Sequence, residues 1–273
     1  MSKKIISTIL ITFLLTGCMT TQYERGVSSN LVNYLYPKGQ LKSHKNDQLP
    51  VLEMPLRVGI ALVPESRSDS RFSLTEVEKL NLLESVAVRF KADKSISHIE
   101  VIPELYLKQG RGFITIEQIA GMYDIDVIAL VSYDQVAINE LNNLSLAYWT
   151  IVGAYIIPGE STEFQTFVDT AVFDINTRKM LFRAPGVHSD SRYHTAVGFE
   201  KKNREMRIES FDVAANKMID NLTVELSKFK KRVKEEGIAK VTFRKGVSYG
   251  GGGLGWLGVI FLLLLLRFTR IRK

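Results

Sequence analysis

The sequence predicts an α/β domain in which helices pack on a single mixed sheet and one long C-terminal helix completes the fold. Three observations predict this class. Short apolar runs typical of buried strands alternate with amphipathic helical segments between residues 57 and 134. Residues 162–175 then alternate apolar and polar residues, and apolar residues 180–185 follow after a short turn, which indicates a hairpin. Residues 201–236 form one long charged helical pattern with an apolar stripe.

The first strand and the first long helix are predicted from an apolar run and a cap signal. Residues 57–63 form a short apolar run closed by Pro64, which indicates a buried strand. Ser73 and Glu76 have the spacing of a capping box, and an apolar stripe follows them on one helical face. That stripe consists of Val77, Leu80, Leu83, Val86, Ala87 and Phe90.

Two further strands and a second helix follow in the sequence. Residues 99–103 predict the second strand and residues 126–134 predict the third. Between them, Thr115 and Gln118 repeat the capping-box spacing and predict a short helix that ends at Met122. The order strand, helix, strand, helix, strand indicates a sheet with helices packed on it.

The second half of the domain is predicted to be a hairpin and then the long helix. The hairpin turn falls at residues 176–178, between alternating residues 162–175 and apolar residues 180–185. The stripe of the long helix consists of Met206, Phe211, Val213, Ala214, Met218, Leu222, Leu226 and Phe229.

Two polar segments bound the predicted domain, which spans residues 54–236. Residues 18–53 have no sustained period and are assigned to a polar tether, with one short helix near residues 29–35. Residues 237–249 are assigned to a linker.

The chain has a formal net charge of +7, but the positive charge is concentrated at its two ends. Residues 1–17 and residues 250–273 contain basic residues and no acidic ones. These basic residues are Lys3, Lys4, Arg267, Arg270, Arg272 and Lys273. Subtracting these two and four charges from +7 leaves +1 for the middle, which argues against a nucleic-acid-binding face. The single cysteine excludes an internal disulfide.

The amino terminus has the organisation of a bacterial export signal. A basic start precedes an apolar run over residues 5–15, which is too short to span a membrane. The next residues resemble the bacterial lipobox, which implies acylation of the cysteine and cleavage before it. The quartet is Leu15, Thr16, Gly17 and Cys18. Met19 stands where an aspartate would favour inner-membrane retention, so the resemblance implies outer-membrane delivery. The alternative is an ordinary buried cysteine.

The carboxy terminus combines a glycine run, a short apolar segment and a basic end. The glycines are Gly250, Gly251, Gly252 and Gly253. Residues 250–266 would form about 25 Å of helix, slightly less than the hydrocarbon thickness of a bilayer. This organisation resembles the GlyGly-CTERM sorting tail, which implies cleavage near the glycines by the rhomboid-type protease called rhombosortase. The alternative is a permanent single-span anchor.

Taken together, the two ends resemble the rhombotarget lipoprotein family. The resemblance implies a signal peptide over residues 1–17, a sorting and transmembrane tail over residues 250–273, and a transient inner-membrane span. It also implies membrane lipids, lipoprotein processing enzymes and a rhombosortase-type protease as partners. The middle domain resembles, in architecture alone, the small α/β domain of several bacterial envelope lipoproteins, such as the curli secretion lipoprotein.

No pattern in the sequence indicates catalysis, so we expect no catalytic residue, no metal and no cofactor. Residues 188–194 contain two histidines and an aspartate, but their spacing fits no helix face, and a solvated loop is the favoured interpretation. Gly110, Arg111 and Gly112 lack the lysine of a phosphate-binding loop and indicate a plain turn. One G-x-S-x-G match occurs at residues 246–250 (GVSYG), but it lies where the predicted linker meets the glycine run and not at a strand-to-helix turn.

One internal segment, residues 144–157, is apolar and almost uncharged. It is too short to span a membrane and too apolar to lie bare in water. A buried core element is the first interpretation. The second is a membrane or partner contact, for which Tyr148, Trp149 and Tyr155 are suited.

The sequence therefore predicts a non-catalytic envelope lipoprotein, exported across the inner membrane and placed at the outer membrane or cell surface. Its folded middle would bind or assemble with an envelope protein partner that the sequence does not name. The alternative is an accessory lipoprotein for secretion or peptidoglycan synthesis that acts through protein contacts.

Overall fold

A seven-stranded mixed sheet forms the centre of the fold, and a second sheet of two strands lies beside it. The computed structural model describes residues 21–37, 48–68, 73–141, 160–195, 197 and 199–244. The strands are β1 (Thr21–Ser28), β2 (Val51–Met54), β3 (Leu56–Leu62), β4 (Arg67–Ser68), β5 (Ile96–Ile102), β6 (Val127–Leu141), β7 (Glu160–Asp174), β8 (Met180–His194) and β9 (Lys240–Phe243). The helices are α1 (Leu31–Leu35), α2 (Glu76–Phe90), α3 (Glu104–Lys108), α4 (Phe113–Tyr123) and α5 (Phe199–Glu236). The predicted α/β class with a mixed sheet, packed helices and a long helix is confirmed.

Strand β6 organises the large sheet because its two halves have different partners on one side. Its first half pairs in parallel with β3, which pairs in parallel with β5 on its other side. Its second half pairs antiparallel with β1, which takes over where β3 ends. Strand β7 runs antiparallel along all of β6, and β8 pairs with β7. The change of partner occurs near Tyr133, whose backbone N–H donates to the Ser29 hydroxyl at 2.7 Å.

The assignment of residues 18–53 to a tether was wrong for two stretches of it. Strand β1 lies inside the large sheet, and β2 pairs in parallel with β9, which falls in the predicted linker. Strand β1 (TQYERGVS) is too polar to show a buried pattern, and its place is fixed by backbone pairing with β6. The short helix predicted near residues 29–35 is α1, capped by the Asn30 side chain.

The N-cap of helix α2 lies two residues later than predicted. Thr75, not Ser73, is the N-cap: its hydroxyl accepts from the Glu78 N–H, and the Glu78 carboxylate accepts from the Thr75 N–H. The Ser73 hydroxyl instead donates to Glu65 at 2.8 Å. The buried face also differs from the predicted stripe, because Val77 and Leu80 are exposed. Its residues are Lys79, Leu82, Leu83, Val86 and Phe90.

Helix α4 begins at Phe113, and the predicted Thr115 cap was wrong. Gly112 is the N-cap residue, with a φ of 84° that favours glycine. Its N–H donates to the Tyr34 carbonyl, which ties the turn before α4 to α1. Thr115 lies inside the helix, where its hydroxyl donates to the Arg111 carbonyl at 3.4 Å.

Helices cover both faces of the sheet and enclose two cores. Helices α2 and α5 pack on one face, and α1, α3 and α4 pack on the other. Most of the predicted stripe of α5 is buried, which confirms its direction toward the sheet. Gly186 in β8 permits this packing, because a Cβ there would collide with the backbone of α5 at Ala214 and Met218. Within the described ranges, no helix is both long and apolar enough to cross a membrane.

Candidate functional site

The residues predicted from the lipobox, the glycine tail and the apolar segment lie outside the described part of the chain. They are Leu15, Thr16, Gly17, Cys18, Tyr148, Trp149, Tyr155, Gly250, Gly251, Gly252 and Gly253. The structure does describe the residues that lead into each of these segments. Their positions in the sheet determine at which end of the domain each segment begins.

Two of these segments begin at the same end of the sheet. Thr21, three residues after Cys18, pairs with Glu140 near the end of β6. Leu141 and Glu160 pair with each other and flank the apolar segment. The chain therefore leads into the lipobox cysteine and into residues 144–157 from one edge, which we call the lipobox end.

The chain leads into the glycine tail from the opposite end of β6. Arg244, the last described residue, forms an ion pair with Asp126, which directly precedes β6. Asp126 also accepts from Arg57 at 2.7 Å, and Arg57 pairs with Asp124 as well. Strand β6 has 15 residues, which corresponds to roughly 46 Å between its ends. At the start of this strand, Asp124 and Asp126 thus both form ion pairs with arginines.

A buried polar cluster lies where the parallel strands end. Strands β3 and β5 are each followed closely by a Pro-Glu pair, Pro64-Glu65 and Pro103-Glu104. Both glutamates converge on Lys79 of α2: its Nζ lies 2.6 Å from Glu104 Oε2 and 3.9 Å from Glu65 Oε1. The Tyr133 hydroxyl donates to Glu65 at 2.8 Å. We call Glu65, Lys79, Glu104 and Tyr133 the polar centre.

The surroundings of the polar centre raise the pKa values of Lys79 and Tyr133, so both stay protonated at neutral pH. Burial lowers the pKa of Lys79, but the hydrogen bonds to Glu104 and Glu76 outweigh burial, so the net pKa is raised. Burial, followed by the charge of Glu65, raises the pKa of Tyr133 far above its ordinary value. Lys79 therefore stays an ammonium and Tyr133 a phenol. The cluster connects α2 to the ends of two strands.

An apolar cavity of about 70 Å³ lies between the sheet and helices α2 and α5. Sixteen residues line it, and all but Ser95 are apolar. It adjoins an open groove of about 460 Å³ beside β2 and β9. The apolar part of this groove includes Leu52, Met54, Phe229, Val233, Ala239 and Val241. Lys230 and Lys234 line it as well, and we call the whole feature the basic groove.

The prediction of a solvated loop for residues 188–194 was wrong, because they form the second half of β8. His188 pairs with Thr166 in the β7–β8 ladder, and its Nδ1 lies 3.1 Å from the Ser210 hydroxyl. Ser210 is only 1% exposed, which places this serine beyond the reach of a substrate. No group of three or more potential metal ligands occurs among the residues that the structure describes.

Comparison with known proteins adds little to this geometry. No protein-family model matches the chain, and no curated protein matches it. Among solved structures, the chain is similar to the PelC dodecamer from Paraburkholderia phytofirmans. The identity is 9% and the TM-score 0.28, over 74% of this chain and 96% of that one. A TM-score this low establishes neither a shared fold nor a shared function.

The polar centre and the basic groove were not predicted from the sequence. The repeated Pro-Glu after two apolar strands was a usable signal for the polar centre, because ends of adjacent parallel strands meet at one edge. A lysine at position 79, within a helix of apolar periodicity, was a second signal. The groove joins β2 and β9 to α5, residues far apart in the chain, and no local pattern indicates it.

Proposed function

We propose that this chain is a bacterial envelope lipoprotein, acylated at Cys18, whose folded part is a non-catalytic binding or assembly module. Its tail is cut within Gly250, Gly251, Gly252 and Gly253 by a rhombosortase-type intramembrane protease. The signal peptide and the apolar tail then serve export and sorting, and the mature protein is held at the outer membrane or cell surface by its lipid.

One observation carries this proposal: the folded domain starts only three residues after the lipobox cysteine. Three residues span at most about 11 Å, so an acylated Cys18 would hold the lipobox end directly against the membrane. The same end leads into the apolar residues 144–157 through Leu141 and Glu160. Two features suited to a lipid surface therefore adjoin one edge of the sheet.

The position of Arg244 supports a sorting role for the tail. The tail follows a residue at the far end of β6 from Thr21. While both ends are held in one bilayer, the domain is attached at both ends of the 15-residue strand β6. Cleavage in the glycine run leaves a single attachment at Cys18. A lipid-anchored protein needs no second permanent anchor, and acyl chains alone give stable attachment.

The polar centre supports a non-catalytic module. Lys79 and Tyr133 keep their protons at neutral pH, and the Ser210 beside His188 is buried. These side chains hold elements of the fold together, which supports a structural role for them.

Acylation is tested with Cys18→Ala and the matched control Met19→Ala in the native host. We expect Met19→Ala to incorporate an alkyne-bearing palmitate analogue and to lose residues 1–17, as the unaltered chain does. Cys18→Ala should do neither and should accumulate as the precursor. Equal labelling of Cys18→Ala would contradict the proposal.

Membrane contact by residues 144–157 is tested with Trp149→Glu, using Val187→Glu, at an exposed position on β8, as the control. In the Cys18→Ala background, we expect Trp149→Glu alone to weaken binding to liposomes while the circular dichroism spectrum is kept. A folded variant with unchanged binding would refute the contact. Loss of folding would instead support a core element.

A second candidate function, an accessory that acts through protein contacts, is favoured by one face of α2. Val77, Leu80 and Val88 are exposed on it, and exposed apolar side chains that share one helix face can form a contact for a protein partner. Light scattering of the purified chain tests this. An oligomer that Val88→Glu dissociates, and that Val224→Glu on α5 does not, would support assembly through α2. A monomer in all three samples would contradict it.

A further inference from the structure

The basic groove adjoins the apolar cavity beneath α5. Leu56, Ser95, Leu226 and Phe229 line both spaces, so these four side chains separate the groove at the surface from the cavity in the core. Ser95 is the one polar residue at this junction, and its hydroxyl already donates to Asp93 at 2.6 Å. Apolar walls have no hydrogen-bond partners for a polar ligand, so such a space suits a hydrocarbon chain.

Two lysines of α5 line the mouth of the groove. Residues 228–234 (KFKKRVK) contain five basic residues on the last turns of α5, of which Lys230 and Lys234 line the groove. Phe229 and Val233 of this stretch turn toward the groove, as their spacing of four residues requires. Lys230 is held by Asp93 at 2.7 Å, whereas Lys234 lies exposed on the groove with no ion pair among the described residues. The mouth therefore has a cation available for an anionic head group.

The acyl chains of the protein itself begin at the other end of the domain. The groove adjoins Leu56 and Val241, beside the start of β6, whereas Thr21 pairs with Glu140 near its far end. Roughly 40 Å of strand separates the two positions. The occupant of the groove is therefore a separate molecule.

We propose that the basic groove binds an anionic lipid through one acyl chain, which lies in the groove and reaches toward the cavity, with the anionic head group on Lys234. This inference deepens the proposed function by giving the binding module a ligand class. A cationic or zwitterionic head group would lack the attraction of Lys234, so binding discriminates by charge as well as by chain.

Photo-crosslinking of the full chain in zwitterionic nanodiscs tests the proposal. The probes are hexadecanoic acid with a diazirine in its chain and a lysophosphatidylcholine with the same diazirine chain. We expect the acid to label peptides that contain Phe229 or Val241, several times more strongly than the zwitterionic probe does. Absence of label on these peptides, or equal labelling by both probes, would overturn the proposal.

Two variants with matched controls localise the label. Val241→Trp narrows the mouth at a residue that is 41% exposed, and we expect at least a fivefold loss of label. Val224→Trp, at a similarly exposed position on α5 (49% exposed) but away from the groove, should keep it. Lys234→Glu should weaken labelling by the acid about tenfold and leave the zwitterionic probe unaffected. Lys231→Glu, which does not line the groove, should change neither.

The outcomes separate this proposal from the lipoprotein proposal. Crosslinking reports only whether the groove is occupied, and it does not require acylation of Cys18. If Val241→Trp loses its circular dichroism spectrum, Lys234→Glu decides: unchanged labelling by the acid would overturn the groove site. Failure of Cys18 to be acylated would leave the groove result intact.

Discussion

The ammonium of Lys79 lies 2.6 Å from the Oε2 atom of Glu104, and both side chains are buried. This contact joins the first turn of α2 to the end of β5, and Lys108 adds a second, exposed cation at 3.2 Å from the same oxygen. Within the described residues, the other oxygen of Glu104 has no hydrogen-bond partner. The cost of burying the Glu104 carboxylate is therefore offset mainly by Lys79. Loss of either partner should destabilise the fold.

Replacing Lys79 tests this dependence. Lys79→Met removes the cation and leaves Glu104 and Glu65 buried without it, so we expect a loss of about 3–5 kcal/mol in the free energy of unfolding. Urea denaturation followed by circular dichroism measures it. The double variant Lys79→Met with Glu104→Gln should recover part of the loss, because it removes one of the two stranded charges. If Lys79→Met alone were as stable as the unaltered chain, the Lys79–Glu104 contact would not stabilise the fold.

The stability of the domain should fall at alkaline pH. The folded-state pKa values of Lys79 and Tyr133 are both raised above the ordinary 10.5 and 10.0. Folding thus favours the protonated forms, a contribution that is complete below pH 10 and is lost as the pH rises through the folded values. Each group can add a slope of up to about 1.4 kcal/mol per pH unit.

Tyr133→Phe isolates the tyrosine part of this alkaline slope. Urea midpoints at pH 8, 10 and 11 should fall less steeply for Tyr133→Phe, although the variant is less stable at pH 8 because Glu65 loses one of its two hydroxyl donors and keeps Ser73. Identical slopes for the variant and the unaltered chain would refute the assignment.

Two glycines give opposite expectations for substitution by alanine. A Cβ on Gly186 would collide with the backbone of α5, so Gly186→Ala should cost about 1–3 kcal/mol. A Cβ on Gly121, inside α4, would meet nothing within 4 Å. Gly121→Ala should therefore stabilise the domain by about 0.5–1 kcal/mol. Thermal unfolding measures both, and equal shifts of the same sign would contradict the packing of α5 on β8.

The cap of α2 provides another matched pair. Thr75→Ala removes the hydroxyl that accepts from Glu78, and we expect a loss of about 1 kcal/mol in unfolding free energy. Ser85→Ala removes an exposed hydroxyl in the middle of the same helix, bonded only to the Asn81 carbonyl. It should be neutral or slightly stabilising, because alanine is the better helix former. A larger loss for Ser85→Ala would contradict Thr75 as the cap.

Strands and helices with strong periodicity were predictable from the sequence. Strand β3 and helix α5 were predicted because burial imposes a period on their own residues. The cap of α2 was ambiguous, because Ser73 and Thr75 each precede a glutamate by three residues. A tertiary contact decides between them: Ser73 donates to Glu65.

The missed elements are those that pairing, rather than burial, determines. The second half of β8 carries His188, Asp190 and Arg192, and its strand form comes from its ladder with β7. The polar centre was missed for a similar reason, since it brings Glu65, Lys79 and Glu104 together from three separate elements.

The lipoprotein proposal requires acylation of Cys18 and cleavage in the glycine run. The intact mass and the terminal peptides of the protein extracted from its native membranes report both events in one experiment. We expect a mature species that begins at acylated Cys18 and ends within Gly250, Gly251, Gly252 or Gly253. A species that retains residues 1–17, or one that keeps residues 254–273, would contradict it.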